Sequence, residues 1–130
     1  MSTSIAPATK VCRYCGVGQP FDSFEVCRTT QDKVYRRLKC RACKQQCATD
    51  RRRKIRHWLN EFKKALRCVR CGFADYRALE FHHEDGAGKD FNVADMVKDG
   101  LSISRLKREI AKCQILCANC HRIEHFDERP

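Results

Sequence analysis

The chain has 130 residues, 11 cysteines and a formal charge of +11. No apolar run approaches the roughly 20 residues needed to cross a bilayer, and residues 1–10 lack the apolar core of a secretory signal, which argues against a membrane or secreted protein. The remaining expectation is a reduced, cytoplasmic protein whose cysteines serve as metal ligands, because most stand in CxxC pairs and an odd count fits a disulfide framework poorly.

The placement of the charge says more than its size. Residues 28–67 carry 15 Lys and Arg against three acids, whereas residues 1–27 balance two against two and residues 68–130 carry ten against eleven. A one-signed segment without a membrane-seeking stretch predicts a nucleic-acid partner, held mostly through its phosphates, with no membrane involved.

In chain order, residues 1–10 read as a disordered tail. Cys12 and Cys15 open a knuckle that Cys40 and Cys43 answer. Between them a turn at Gly18–Pro20 and two strand-like stretches, Phe21–Val26 and Val34–Leu38, allow a hairpin to bring the four thiols together. Residues 11–43 thus form an N-terminal zinc ribbon. Cys27 and Cys47 are left over and read as small buried hydrophobes.

Residues 44–67 turn helical. Ile55, Trp58, Leu59, Phe62, Ala65 and Leu66 form one apolar stripe, expected to pack on one or both zinc modules, with Trp58 in the core rather than a platform for bases. Arg51, Arg52, Arg53, Lys54, Arg56, Lys63 and Lys64 occupy the rest of this basic amphipathic linker helix and are candidates for binding phosphates.

Residues 68–130 form the third segment. A second knuckle, Cys68 and Cys71, precedes a strand at Ala78–His83. A polar connection follows from Glu84 to Gly100, with a short helix after Asn92. Ser102 or Ser104 caps a helix through Ala111, Cys113–Leu116 makes a second strand, and Asn119–Phe126 closes the chain as a helix. The expected class is α+β, built of small zinc-stabilised modules, since units of about 60 residues bury too little to stand unaided.

The chemistry concentrates in LEFHHED (Leu79–Asp85) and LCANCHRIEH (Leu116–His125). Cys117 and Cys120 can complete a closed four-thiolate zinc site with Cys68 and Cys71. His121 and His125 stand four apart and project from one helix face. Cys120 and His121 are about 100° apart around the axis, so they serve different ions. His82 and His83 are neighbours on a strand and point to opposite sides. One can join His121 and His125 on an ion with an open position; the other is free to take a proton from water.

These residues resemble the HNH endonuclease family, of the CxxC-containing kind common in bacteriophages and mobile elements. The likeness covers Cys68–His125. It implies a β-hairpin and helix closed around one catalytic ion, the ββα-metal or His-Me finger. It further implies that His82, His121 and His125 ligate that ion as in the nuclease colicins, that His83 is the general base, and that Cys68, Cys71, Cys117 and Cys120 hold structural zinc. A phage origin would put the protein in the host-cell cytoplasm. The front half is also similar to the front ends of some phage nucleases. One position departs. The asparagine that gives the family its middle letter lies nine residues before the helix histidine, where this chain has Lys112. Either the long insertion between the strands takes over its task of tying down the loop beside the base, or Asn119 does so in part.

The expected activity is metal-dependent hydrolysis of DNA phosphodiesters, with two structural Zn²⁺ and one catalytic divalent ion. Three imidazoles suit Zn²⁺, Mn²⁺ or Ni²⁺ at least as well as Mg²⁺, which prefers oxygen. Arg122 is a further candidate for holding a phosphate. The alternative is a non-catalytic zinc-dependent DNA-binding protein with the same basic helix and a degenerate histidine site. An adaptor that binds protein through its zinc ribbon accounts for the thiols but not for four clustered histidines.

Overall fold

The computed structural model describes residues 8–84 and 91–128. It divides into two compact units, Met1–Asp50 and Arg51–Pro130. Among the described residues the architecture is mixed α+β, with three two-stranded antiparallel sheets and two cysteine tetrads. No helix among the described residues is long and apolar enough to cross a membrane.

In the first unit, β1 (Thr9–Val11) pairs with β2 (Gly18–Pro20), and β3 (Phe24–Thr29) pairs with β4 (Val34–Cys40). Thr9 and Lys10 therefore belong to a strand, contrary to the disordered tail expected through residue 10; residues 1–7 lie outside the described residues. Phe21–Ser23 forms a 3-10 turn, so the first strand of the expected hairpin starts at Phe24 instead of Phe21. The core here is Cys12, Phe24 and Cys40, with Cys43 packed against it.

Cys27 and Cys47 are exposed, contrary to the expectation of small buried hydrophobes. The β3–β4 pair is a two-stranded sheet, and most of its side chains stay at the surface whatever their polarity. The Cys27 thiol donates to the Tyr35 carbonyl at 3.4 Å, and Cys47 accepts from Lys39 Nζ at 3.3 Å.

Helix α1 (Arg41–Lys64) begins directly after β4; its residues from Arg51 onward belong to the second unit. It is followed by β5 (Leu79–His83), α2 (Val93–Lys98), α3 (Ile103–Ile110), β6 (Cys113–Cys117) and α4 (Ala118–Asp127). Asn92 caps α2 by accepting from the Ala94 amide, and of the two serines the sequence offers for α3 it is Ser102 that accepts, from the Arg105 amide.

Of the expected apolar stripe, Leu66, just past α1, packs on the second cysteine cluster as expected, but the residues within α1 find a different partner. Ile55 and Leu59 are buried against Val93, Met96, Val97, Leu106 and Ile110, with Trp58, Phe81, Leu101, Ile103 and Cys113 around them. The described part of the connection between the two strands thus contains a pair of helices that shares a core with α1. Trp58 is half-buried on this cluster and stacks on Phe62 at 5.4 Å. Phe62 itself remains on the surface.

Strands β5 and β6 pair antiparallel from Leu79↔Cys117 to His83↔Cys113. Strand alternation sends Leu79, Phe81 and His83 one way and Glu80 and His82 the other. That division sends the two adjacent histidines to different surroundings.

Candidate metal and catalytic site

Both cysteine tetrads share one construction. In each, a CxxCG knuckle turns on a glycine at positive φ, Gly16 at 72° and Gly72 at 76°. The glycine amide closes the turn on the first cysteine's carbonyl, at 2.8 Å to Cys12 and 2.9 Å to Cys68. The other half of each tetrad is a CxxC at the start of a helix. The Cys43 amide points at Cys40 Sγ and the Cys120 amide at Cys117 Sγ, each at 3.5 Å. Such amides and the helix start favour thiolate over thiol.

The donor chemistry fits zinc. Cys12, Cys15, Cys40 and Cys43 converge, as do Cys68, Cys71, Cys117 and Cys120, with the sulfurs of each set within 4.8 Å of one another. Cys71 and Cys117 sulfurs lie 3.7 Å apart. A tetrahedron with Zn–S of about 2.3 Å has edges of about 3.8 Å.

The amides of Cys15 and Cys40 bring the Cys12 thiol down to about 6. Against burial, which opposes it, the amides of Cys117 and Cys71 bring Cys68 down to about 6. The bonds to Cys40 and to Cys117 push Cys43 and Cys120 up to about 12. Each tetrad thus favours the thiolate at one cysteine and the thiol at another, a conflict that a dication resolves.

On the opposite side of β5, His82 converges with His121 and His125 of α4, ligand atoms again within 4.8 Å. Ring centroids lie 5.2 Å apart for His82 and His121, 5.0 Å for His82 and His125, and 4.5 Å for His121 and His125. His82 is 5% exposed, and the two helix histidines are more open. Glu80 hydrogen-bonds His121 Nδ1, which leaves Nε2 to face an ion and fixes the ring's orientation. The donor set suits a divalent transition ion.

The helix turn separates the two sites as expected. Cys120 joins the thiols and His121 joins the histidines.

The carboxylates of this region that sequence reading missed fall in two places, one of them near the C-terminal end of α4. Glu128 lies 3.2 Å from His82 Nε2 and 3.5 Å from His125 Nδ1, so it offers the histidine cluster an oxygen donor; Glu124 forms a second convergent triplet with His82 and Glu128. The i,i+3 spacing of Glu128 from His125 was the available signal. At the other place is Glu109, buried at 3% exposure, whose Oε1 lies 2.7 Å from His83 Nε2 and whose Oε2 accepts from Lys112 Nζ at 3.2 Å. Burial works to raise its pKa, but the bonds from His83 and Lys112 and the Phe91 amide outweigh burial and hold the carboxyl below its ordinary value.

His83 does not join the three-histidine cluster. It lines the same cavity, about 300 Å³, together with Phe81, His82, Asn92, His121, His125 and Glu128. Asp85 of the sequence motif lies outside the described residues. Asn119 is exposed on α4, whereas Lys112 reaches Glu109.

The basic residues fall in two places. Arg51, Arg53, Lys54 and Arg56 are exposed on α1 and Arg52 is partly covered. Lys64 pairs with Glu61 at 2.6 Å, and Lys63 lies half-buried over the Phe81 ring at 5.5 Å, where burial lowers its pKa. Arg122 is exposed on α4 and lines a depression with Glu80, His121 and His125. No protein-family model, curated protein or solved structure matches this chain.

Proposed function

We propose that the protein is a metal-dependent DNA endonuclease of the HNH type, with His83 as general base. The observation that carries this reading is the division of labour among four histidines: three converge as ligands, and the fourth lines the same cavity with its own carboxylate partner. A purely structural metal site would need no unligated imidazole beside it.

His83 accepts the proton of a water molecule as the water oxygen bonds to phosphorus and the P–O3′ bond breaks, leaving a 5′-phosphate and a 3′-hydroxyl that takes its proton from solvent. A divalent ion bound by His82, His121 and His125 would supply positive charge to the leaving oxygen. Arg122 stands beside the helix histidines and is placed to hold a neighbouring phosphate. Zinc in the two tetrads would keep these small units folded.

Incubating the purified chain with supercoiled plasmid and Mn²⁺ tests the reading. Conversion to nicked or linear DNA, abolished by a strong chelator, is the expected result. Plasmid that is bound but left intact defeats the nuclease reading in favour of a DNA-binding protein. DNA that is neither bound nor cut defeats both.

The basic surface makes a separate prediction. Replacing Arg51, Arg52 and Arg53 with glutamine should weaken binding to all DNA sequences alike. It should also flatten the plot of log affinity against log salt by about 0.9 for each phosphate no longer neutralised. Binding titrations across salt concentrations check it; an unchanged slope means that these arginines do not meet the backbone.

A further inference from the structure

The helices between β5 and β6 do more than fill a core. They deliver a buried carboxylate to His83, which lines the cavity of the histidine cluster without joining it. Glu109 lies on the last turn of α3, on the side that carries Leu106 and Ile110 into the core, and its Oε1 meets His83 Nε2 at 2.7 Å. Its other oxygen accepts from Lys112 Nζ, and the Phe91 amide approaches at 3.4 Å. The group is therefore held by three donors from three places in the chain.

A carboxylate of this kind accepts and does not donate, so the hydrogen on His83 sits on Nε2 and the lone pair on Nδ1. An imidazole that turns freely offers either nitrogen to a substrate. One tied at Nε2 offers only Nδ1, in a fixed direction. When that nitrogen gains a proton the ring becomes a cation, and a buried carboxylate beside it stabilises the charge.

We propose that Glu109 is a positioning residue for His83: it holds the Nε2–H tautomer, aims Nδ1 at the cavity and compensates the charge the ring acquires, with Lys112 anchoring the carboxylate from behind. This rests on the reading of His83 as the base of a hydrolytic site. Lys112, which stands where the resemblance expects an asparagine, then has a task of its own. It tethers the carboxylate that orients the base.

The experiment compares wild type with Glu109→Gln and Glu109→Ala in the full, metal-loaded chain, by cleavage kinetics and by long-range ¹H–¹⁵N spectra of ¹⁵N-histidine-labelled protein. Wild-type His83 should show the Nε2–H pattern. In Glu109→Gln the amide oxygen still accepts that hydrogen, so the tautomer should persist while the compensating charge is lost. Then kcat should fall roughly 10- to 100-fold, with KM for DNA and affinity for the ion within twofold. Glu109→Ala should lose the tautomer preference as well.

An Nδ1–H pattern in wild type overturns the proposal whatever the variants do. So does unchanged kcat in folded Glu109→Gln when the wild type is active. A wild type that cuts no DNA would end the nuclease reading, yet the spectra would still decide the role of Glu109. An Nε2–H tautomer that Glu109→Ala abolishes supports positioning, and one indifferent to the substitution refutes it.

Discussion

His83→Ala should slow plasmid cleavage by roughly 10² to 10⁴, the usual contribution of a positioned general base, while leaving affinity for the ion and for DNA nearly intact. The expectation follows from where His83 stands: beside the three-histidine cluster, lining its cavity, and bonded to Glu109 instead of converging with His82, His121 and His125. His82→Ala should behave differently. It removes one of three converging imidazoles, so affinity for the catalytic ion should drop and activity should return in part at high metal concentration. Rescue by metal is the discriminating measurement. Should His83→Ala be the variant that metal rescues, the two roles are exchanged. Should neither substitution alter cleavage, the activity lies elsewhere.

Removing zinc should be still more damaging, because in each small core the metal ligands are much of the core. Around the first tetrad the buried cluster is Cys12, Phe24 and Cys40; around the second it is Cys68, Leu79, Leu116 and Cys117. Few apolar side chains are left to hold either once its thiols must face one another without a dication. Structural zinc in comparable peptides contributes on the order of 10 kcal/mol, more than so small a core can replace. Elemental analysis of the purified chain should find two zinc ions that survive mild chelation, with the histidine-bound ion exchanging more readily. Cys117→Ser should reduce the tight zinc to one and abolish amide protection across β5 and β6. Fewer than two tight zincs in wild type, or full protection in Cys117→Ser, would remove the two-staple architecture.

Much of this site is legible in the sequence for a simple reason: local spacing constrains local geometry. Two residues between cysteines are enough for a knuckle. A step of four from His121 to His125 puts both on one helix face, and adjacency on a strand sends His82 and His83 apart. The serine cap of α3, narrowed by the sequence to Ser102 or Ser104, is equally local. What escaped depends on how distant segments pack. Periodicity showed that α1 has an apolar face but not that Val93, Met96, Val97, Leu106 and Ile110 would cover it, since a stripe carries no address. Glu109 lies 26 positions from His83, and nothing near either residue marks the pair before the helices are assembled. Cys27 and Cys47 misled because residue type suggests burial only where a second layer exists to bury against.

The shared core of α1, α2 and α3 also determines where this protein can be cut. A fragment beginning at Cys68, the first residue of the histidine and second cysteine motifs, would strip Ile55 and Leu59 from the cluster and leave five buried side chains of α2 and α3 facing water. The helix that carries Glu109 would lose its seat. The arginine-rich stretch belongs to the same compact unit as the imidazole, and the helix that displays those arginines also carries the Ile55 and Leu59 that seat α3.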